Sequence, residues 1–170
     1  MFDIQSLDCL LDRGISGNDV HTVVVSDLNG ATLTFVDTID ITSETRNRRV
    51  RIVAALGIDA WRESVTTGLT RDTLAPGVGA DDDSSGTATG RVECDLGRVL
   101  TLPVHGSVKD ALDPVLLVTL NGSQDAPWSI LQEKGCAVVE HLGTSISSIG
   151  DGLKSGQTPP MMKYSQPRAR

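Results

Sequence analysis

Two β-branched runs, Val20-His21-Thr22-Val23-Val24-Val25-Ser26 and Ala31-Thr32-Leu33-Thr34-Phe35-Val36, are joined by a short link that ends in Asn29-Gly30. Both linker residues tolerate positive φ, so the pattern predicts a β-hairpin with its turn at Asn-Gly. Later strands follow the same period. Arg91-Val92-Glu93-Cys94-Asp95 leads through a tight turn at Leu96-Gly97 into Arg98–Val104. There Val99, Thr101 and Pro103 fall on one face and Leu100, Leu102 and Val104 on the other. Pro103 has no N–H to give to a ladder, which predicts a sheet edge or a strand end. After a loop at 107–113, the unbroken apolar run Pro114–Leu120 predicts a central strand buried on both faces.

Three segments have helical spacing instead. In Asp3–Arg13, Ile4, Leu7 and Leu11 make one stripe beside Leu10, and Gly14 with Ser16-Gly17-Asn18 ends it. Thr42 and Ser43 open a second helix that runs to about Glu63. Its apolar face is Val50, Val53, Ala54, Gly57 and Trp61, widened by Ile52 and Ile58. A third starts near Pro127, with Leu131, Gly135, Val138, Val139 and Leu142 recurring on one side and Ile146 and Ile149 extending it. The predicted fold is α+β: a five-stranded, mostly antiparallel sheet with helices on its faces, in the order α-β-β-α-β-β-β-α.

The chain has 170 residues, a length that suits one domain. Residues 66–90 depart from the pattern: 17 of them are Gly, Ser, Thr or Asp. Such a segment buries too little to offset its ordering, and it reads as a disordered insertion outside the packed body. The expected organisation is one domain over 1–149, carrying that insertion, and a flexible basic tail over 150–170. From Asp151 onward four cations face one anion, against a net charge of -7 for the whole chain. The body is therefore acidic and repels phosphate backbones, so nucleic acid is not an expected partner. Aromatic residues, at 3%, are too few for base-stacking platforms.

Chemistry-bearing motifs are sparse. No phosphate-binding Gly-rich loop, G-x-S-x-G or H-E-x-x-H occurs. His21, His105 and His141 are far apart and read as structural or exposed. Cys9, Cys94 and Cys136 have wide spacings that suit reduced thiols in a cytosolic compartment, with Cys136 expected to be a core thiol. Glu93 and Asp95 beside Cys94 do not favour a reactive thiolate. Asp81-Asp82-Asp83-Ser84-Ser85-Gly86 touches a calcium-loop pattern, but Val92 stands where the bidentate Glu belongs, so a solvated or phosphorylatable acidic loop is the better reading. The arginines at 46, 48, 49 and 51 read as a solvated helix face rather than a phosphate site. No apolar run is long enough to span a bilayer, and the N-terminal residues resemble neither a secretory signal nor a myristoylation site, so membrane contact is expected only through partners. The expectation is a non-enzymatic protein with no cofactor and no bound metal.

The ordered set of local strings resembles the roadblock/LC7 family. The strings are the hairpin Val23–Leu33, the Ala-rich helix Ile52–Trp61, Gly97-Arg98-Val99-Leu100-Thr101-Leu102 and the strand Val115–Leu120. The likeness covers about residues 5–145 apart from the insertion, and within the family it is nearest to the roadblock subunits of Ragulator (LAMTOR)-type scaffolds. The insertion, the 107–113 loop and the tail depart from the compact form of such subunits. The resemblance implies a profilin-like roadblock fold and a scaffold that pairs with a second roadblock subunit. It also implies a lipidated anchoring subunit and recruitment of Rag-type GTPases to the cytosolic face of the lysosome, vacuole or late endosome, in amino-acid signalling to the TOR kinase. The pairing surface it implies is the second helix with an adjacent edge strand: Val50, Val53, Ala54, Gly57 and Trp61 with Arg98, Leu100 and Leu102. The same helix face could instead pack on the chain's own sheet. Alternatives are a roadblock-type dynein light chain or another homodimeric roadblock regulator of a small GTPase. A ligand sensor on a profilin-like or PAS-like sheet is a further possibility.

Overall fold

The computed structural model describes residues 4–72, 88–106 and 114–155. Eight elements follow in chain order: α1 (Ile4–Asp12), β1 (Val20–Ser26), β2 (Thr32–Asp37), α2 (Ser43–Asp72), β3 (Gly90–Cys94), β4 (Gly97–His105), β5 (Pro114–Gly122) and α3 (Trp128–Ser155). The strands form one sheet in the order β2-β1-β5-β4-β3. Every pairing in it is antiparallel.

The sheet separates two apolar layers, as strand alternation requires. Leu100, Leu102 and Val104 of β4 point with Val23, Val25, Val118 and Leu120 toward α1 and α3, where Leu11, Leu131, Val138 and Leu142 meet them. On the other side Val24 and Val99 meet Val50, Val53 and Ala54 of α2. β5 lies in the middle of the sheet and is buried without interruption from Leu117 to Gly122, as its unbroken apolar run predicts.

Several expectations are corrected. α2 continues to Asp72 instead of ending near Glu63, so 66–72 is helix, and Gly90 already belongs to β3. α3 continues to Ser155, through the point where the tail was placed. There the helical hydrogen-bond ladder runs on from the packed turns although Thr, Ser, Gly and Asp have low helix propensity, so composition alone does not reveal it. The rest of the insertion, with the Asp81–Gly86 loop, and the tail beyond Ser155 lie outside the described residues. Pro103 is not on an edge strand: β4 lies between β5 and β3. However, β3 reaches only to Thr101, so Pro103 falls where β4 outruns its neighbour. Cys136 is exposed rather than buried in the core.

The first hairpin forms where predicted but with a different turn. Only Gly30 has positive φ, at 98°, and no described residue other than glycine does. Asp27 closes the loop: its carboxylate accepts the N–H groups of Asn29 at 2.9 Å and Ala31 at 2.7 Å. Its backbone N–H donates to the Ala31 carbonyl, and the register slips by one residue after Val25. This is a three-residue loop with a bulge, built on Gly30 alone. The backbone N–H of Ala31, and that of Asn29, hold the Asp27 carboxyl below its ordinary range.

Candidate functional site

Most of the residues read from sequence as a pairing surface pack within this chain, and Trp61 and Arg98 are partly exposed. Val50, Val53 and Ala54 are buried against the sheet. Gly57 lies so close to it that a Cβ would stand 2.3 Å from Thr101 Oγ1 and 2.7 Å from Thr119 Cγ2. Trp61 is half-buried, with its indole nitrogen enclosed. Leu100 and Leu102 are core residues under α3, and β4 is an internal strand. Arg98 is tied down locally: it donates to the Ala126 carbonyl at 2.7 Å and to Glu93 at 3.0 Å. Its guanidinium also lies over the Trp128 ring, as does that of Arg91. The apolar stripe of α2 was read correctly as a stripe; it covers the chain's own sheet.

What remains open is the opposite side of α2 and the two sheet edges. β3 and β2 are the edge strands. Beside β3, Gly90 packs on the backbone of Ala60 and Trp61. Ile52, Leu56 and Ala60, four residues apart, form one line along α2 that ends at this contact. Ile52 is 43% exposed, and Ala55 beside it is a small exposed residue. The other flank of α2 faces the β1–β2 hairpin. There Ile58 lies near Gly30, and Arg62 donates to the Leu28 carbonyl at 2.9 Å. Further toward the helix start, an open groove of about 400 Å³ runs between α2 and β2, lined by Leu33, Phe35, Asn47, Val50 and Arg51 among others. Sequence reading missed Ile52 as a surface residue because it interleaves with the buried stripe. Leu33 was missed because the hairpin signal does not say which strand lies at the edge.

The arginine cluster divides. Arg46 donates to the carbonyls of Ile39 and Ile41, which shapes the approach to α2. Arg49 turns inward. It lies 3.5 Å from the fully buried Asp37 carboxylate, donates to Thr22 Oγ1 at 2.8 Å, and makes a short contact with Asn121 Oδ1. Asn121 in turn donates to the carbonyls of Leu96, Arg98 and Gly122. His21, beside Thr22 and Arg49, has its proton affinity lowered, first by burial and then by the Arg49 charge; Asp37 and a Gly122 backbone bond oppose this in part. Here a charged set joins α2 to β1, β2 and β5, with Asp37 Oδ2 buried without a hydrogen bond and held by the Arg49 charge alone. Arg48 and Arg51 alone are exposed as the solvated-face reading expects.

Among the described residues no group of three or more His, Cys, Asp or Glu side chains could hold a metal ion. No described helix is long and apolar enough to cross a membrane.

No family model matches the sequence, and no curated protein matches it. Solved structures do match. The Roadblock/LC7 domain from Streptomyces avermitilis superposes with a TM-score of 0.53 at 11% identity, over 85% of this chain and 98% of that one. Myxococcus xanthus MglB gives 0.54 at 12% identity, over 88% and 95%. The fold is that of a roadblock/LC7 domain. An MglB structure described as having a tetrameric arrangement gives a TM-score of 0.52 at 12% identity, over 88% of this chain and 94% of that one. The roadblock sheet with α2 on one face and α1 and α3 on the other is thus shared at sequence identities where few side chains correspond.

Proposed function

We propose that this chain is a non-catalytic, roadblock-type pairing module that joins a second roadblock-fold chain along the β3 edge and the adjoining flank of α2. The observation that carries this reading is the exposed Ile52 on a helix whose flank meets the free edge strand β3 at Gly90. An edge strand offers main-chain donors and acceptors to a second strand. Ile52 with the small Ala55 offers an apolar contact and close approach to a second helix. The two kinds of contact lie side by side, so one partner can use both.

Sedimentation equilibrium on the full chain, alone and after Ile52→Asp, tests the surface. Pairing that the substitution weakens at least about tenfold, with the circular dichroism unchanged, supports it; a carboxylate in an apolar contact is costly enough for that. Pairing that is indifferent to Ile52→Asp, or no pairing with itself or with any roadblock-fold chain, sinks it.

The finer proposal, resting on the sequence resemblance, is a Ragulator-type scaffold. It would pair with a different roadblock subunit and help recruit Rag-type GTPases, through a lipidated subunit, to the lysosomal or vacuolar surface in signalling to the TOR kinase. A second reading is favoured by the MglB likeness and the assembly that one such structure is described with: a self-pairing roadblock regulator of a small GTPase. The sedimentation experiment separates them. A chain that is monomeric alone and pairs only with a different roadblock protein supports the scaffold, and a tight homodimer supports the regulator. Affinity purification that recovers a lipidated subunit and Rag-type GTPases would support the scaffold's localisation as well.

A further inference from the structure

The flank of α2 turned away from β3 adjoins the other edge of the sheet. β2 ends the sheet there; it has no proline, and its one charge, Asp37, is buried against Arg49. Leu33 is the most exposed large hydrophobic residue described, at 59%. It lines the groove between β2 and α2 together with Phe35, Val50 and Arg51. Arg51 lines this groove, and Arg48, one turn before it, lies beside it in a second concavity with Ile52 and Ala55. Both arginines are exposed and make no ion pair or side-chain hydrogen bond among the described residues, whereas Arg46 and Arg49 are committed to backbone carbonyls and to Asp37. Glu44 is the one carboxylate that lines the surface around them.

We propose that the β2 edge and the Arg48–Arg51 flank of α2 bind an extended acidic segment of a partner protein, laid beside β2 as a sixth strand. Each part of that description follows from one feature. The free edge calls for extended backbone. Leu33 and Phe35 call for apolar side chains at alternate positions, since every second residue of an added strand faces the groove. The two uncommitted guanidiniums call for carboxylates, which they can hold through charge-assisted bonds. A second copy of this chain fits poorly, because β2-to-β2 pairing sets two Arg48–Arg51 flanks against each other. The net charge of -7 also means that an acidic segment is drawn by this local patch and not by the chain as a whole.

The test pans a library of random short peptides against the full chain and measures an enriched peptide by fluorescence anisotropy. Alternating apolar and acidic residues are expected in the enriched set. The double variant Arg48→Glu/Arg51→Glu should bind the peptide at least about tenfold more weakly, and a peptide with Lys in place of each Glu should bind that variant better than the parent chain. Leu33→Lys, which leaves both arginines in place, should also lose the peptide. Circular dichroism of each variant guards against loss of the fold. Absence of enrichment, enrichment without acidic residues, or equal binding to the double variant overturns the proposal. So does self-association that Leu33→Lys abolishes, which would make the occupant a second copy. Flotation of the chain with phosphatidylserine vesicles that Arg48→Glu/Arg51→Glu abolishes would overturn it too, by making the patch a lipid site.

Discussion

At the residue scale, the fold depends on a few side chains whose partners come from distant parts of the sequence. Arg49 and Asp37 are the clearest pair, with side chains 12% and 0% exposed. Arg49→Met leaves the Asp37 carboxylate buried with only Thr22 and the Ile39 N–H for company. A cost of about 3–5 kcal/mol is expected, with much of it recovered when Asp37→Leu is added, both read from urea unfolding. His21 belongs to the same set and makes stability depend on pH. Its folded-state proton affinity lies below the ordinary 6.5, so the unfolded chain takes up the proton first as pH falls. The His21 contribution is thus present above about pH 6.5 and lost below it. His21→Gln should flatten that part of the urea midpoint against pH; an unchanged slope would show that other groups set it. None of this was legible in the sequence. An arginine in a basic run looks solvated, and nothing local reveals that β2 brings a buried carboxylate to Arg49.

At the element scale the sequence was far more informative, because period and turn residues are local signals. β1 and β5 follow from a β-branched and an unbroken apolar run, β4 from alternation, and the buried stripes of α2 and α3 from three-and-four spacing. The failures share one cause: a stripe shows that a face is covered, not what covers it. The α2 stripe of Val50, Val53, Ala54 and Gly57 can by its spacing serve a partner or the chain's own sheet, and the sheet takes it. Likewise a period-two strand carries no record of its place in the sheet, so β4 could be taken for an edge. Gly57 shows how tight the helix-to-sheet contact is. Gly57→Ala gains up to about 1 kcal/mol in helix propensity. It also drives a methyl group into Thr101 and Thr119, whose hydroxyls lie 3.0 Å apart beneath it. Overpacking of this kind costs about 1–3 kcal/mol, so net destabilisation of up to about 2 kcal/mol is expected in urea or thermal unfolding. A stabilised variant would mean that α2 can lift from the sheet.

At the scale of the whole molecule, the strand order leaves two edges that differ in character. β3 carries Arg91 and Glu93, which are engaged with Trp128 and Arg98 on the α3 side, and its other flank adjoins the exposed line of α2 through Ile52. β2 carries Leu33 over an open groove that Arg51 also lines, with Arg48 one helical turn before it. If pairing uses β3, two five-stranded sheets become continuous through that strand, and the consequence is measurable amide by amide. Main-chain groups on the outer side of Gly90–Cys94 exchange readily in a lone chain and become protected when a second strand accepts them. Association stabilises the paired state by mass action, so this protection depends on protein concentration. Hydrogen exchange on self-paired chain, or on chain titrated with its roadblock partner, should show β3 protection rising about tenfold or more across the pairing range. β5, in the middle of the sheet, should stay protected throughout, and β2 should stay as exposed as it began. The reverse pattern, with β2 protected and β3 unchanged, would move the pairing surface to the other edge. It would take the site for an acidic segment with it, since one strand edge cannot serve both partners at once.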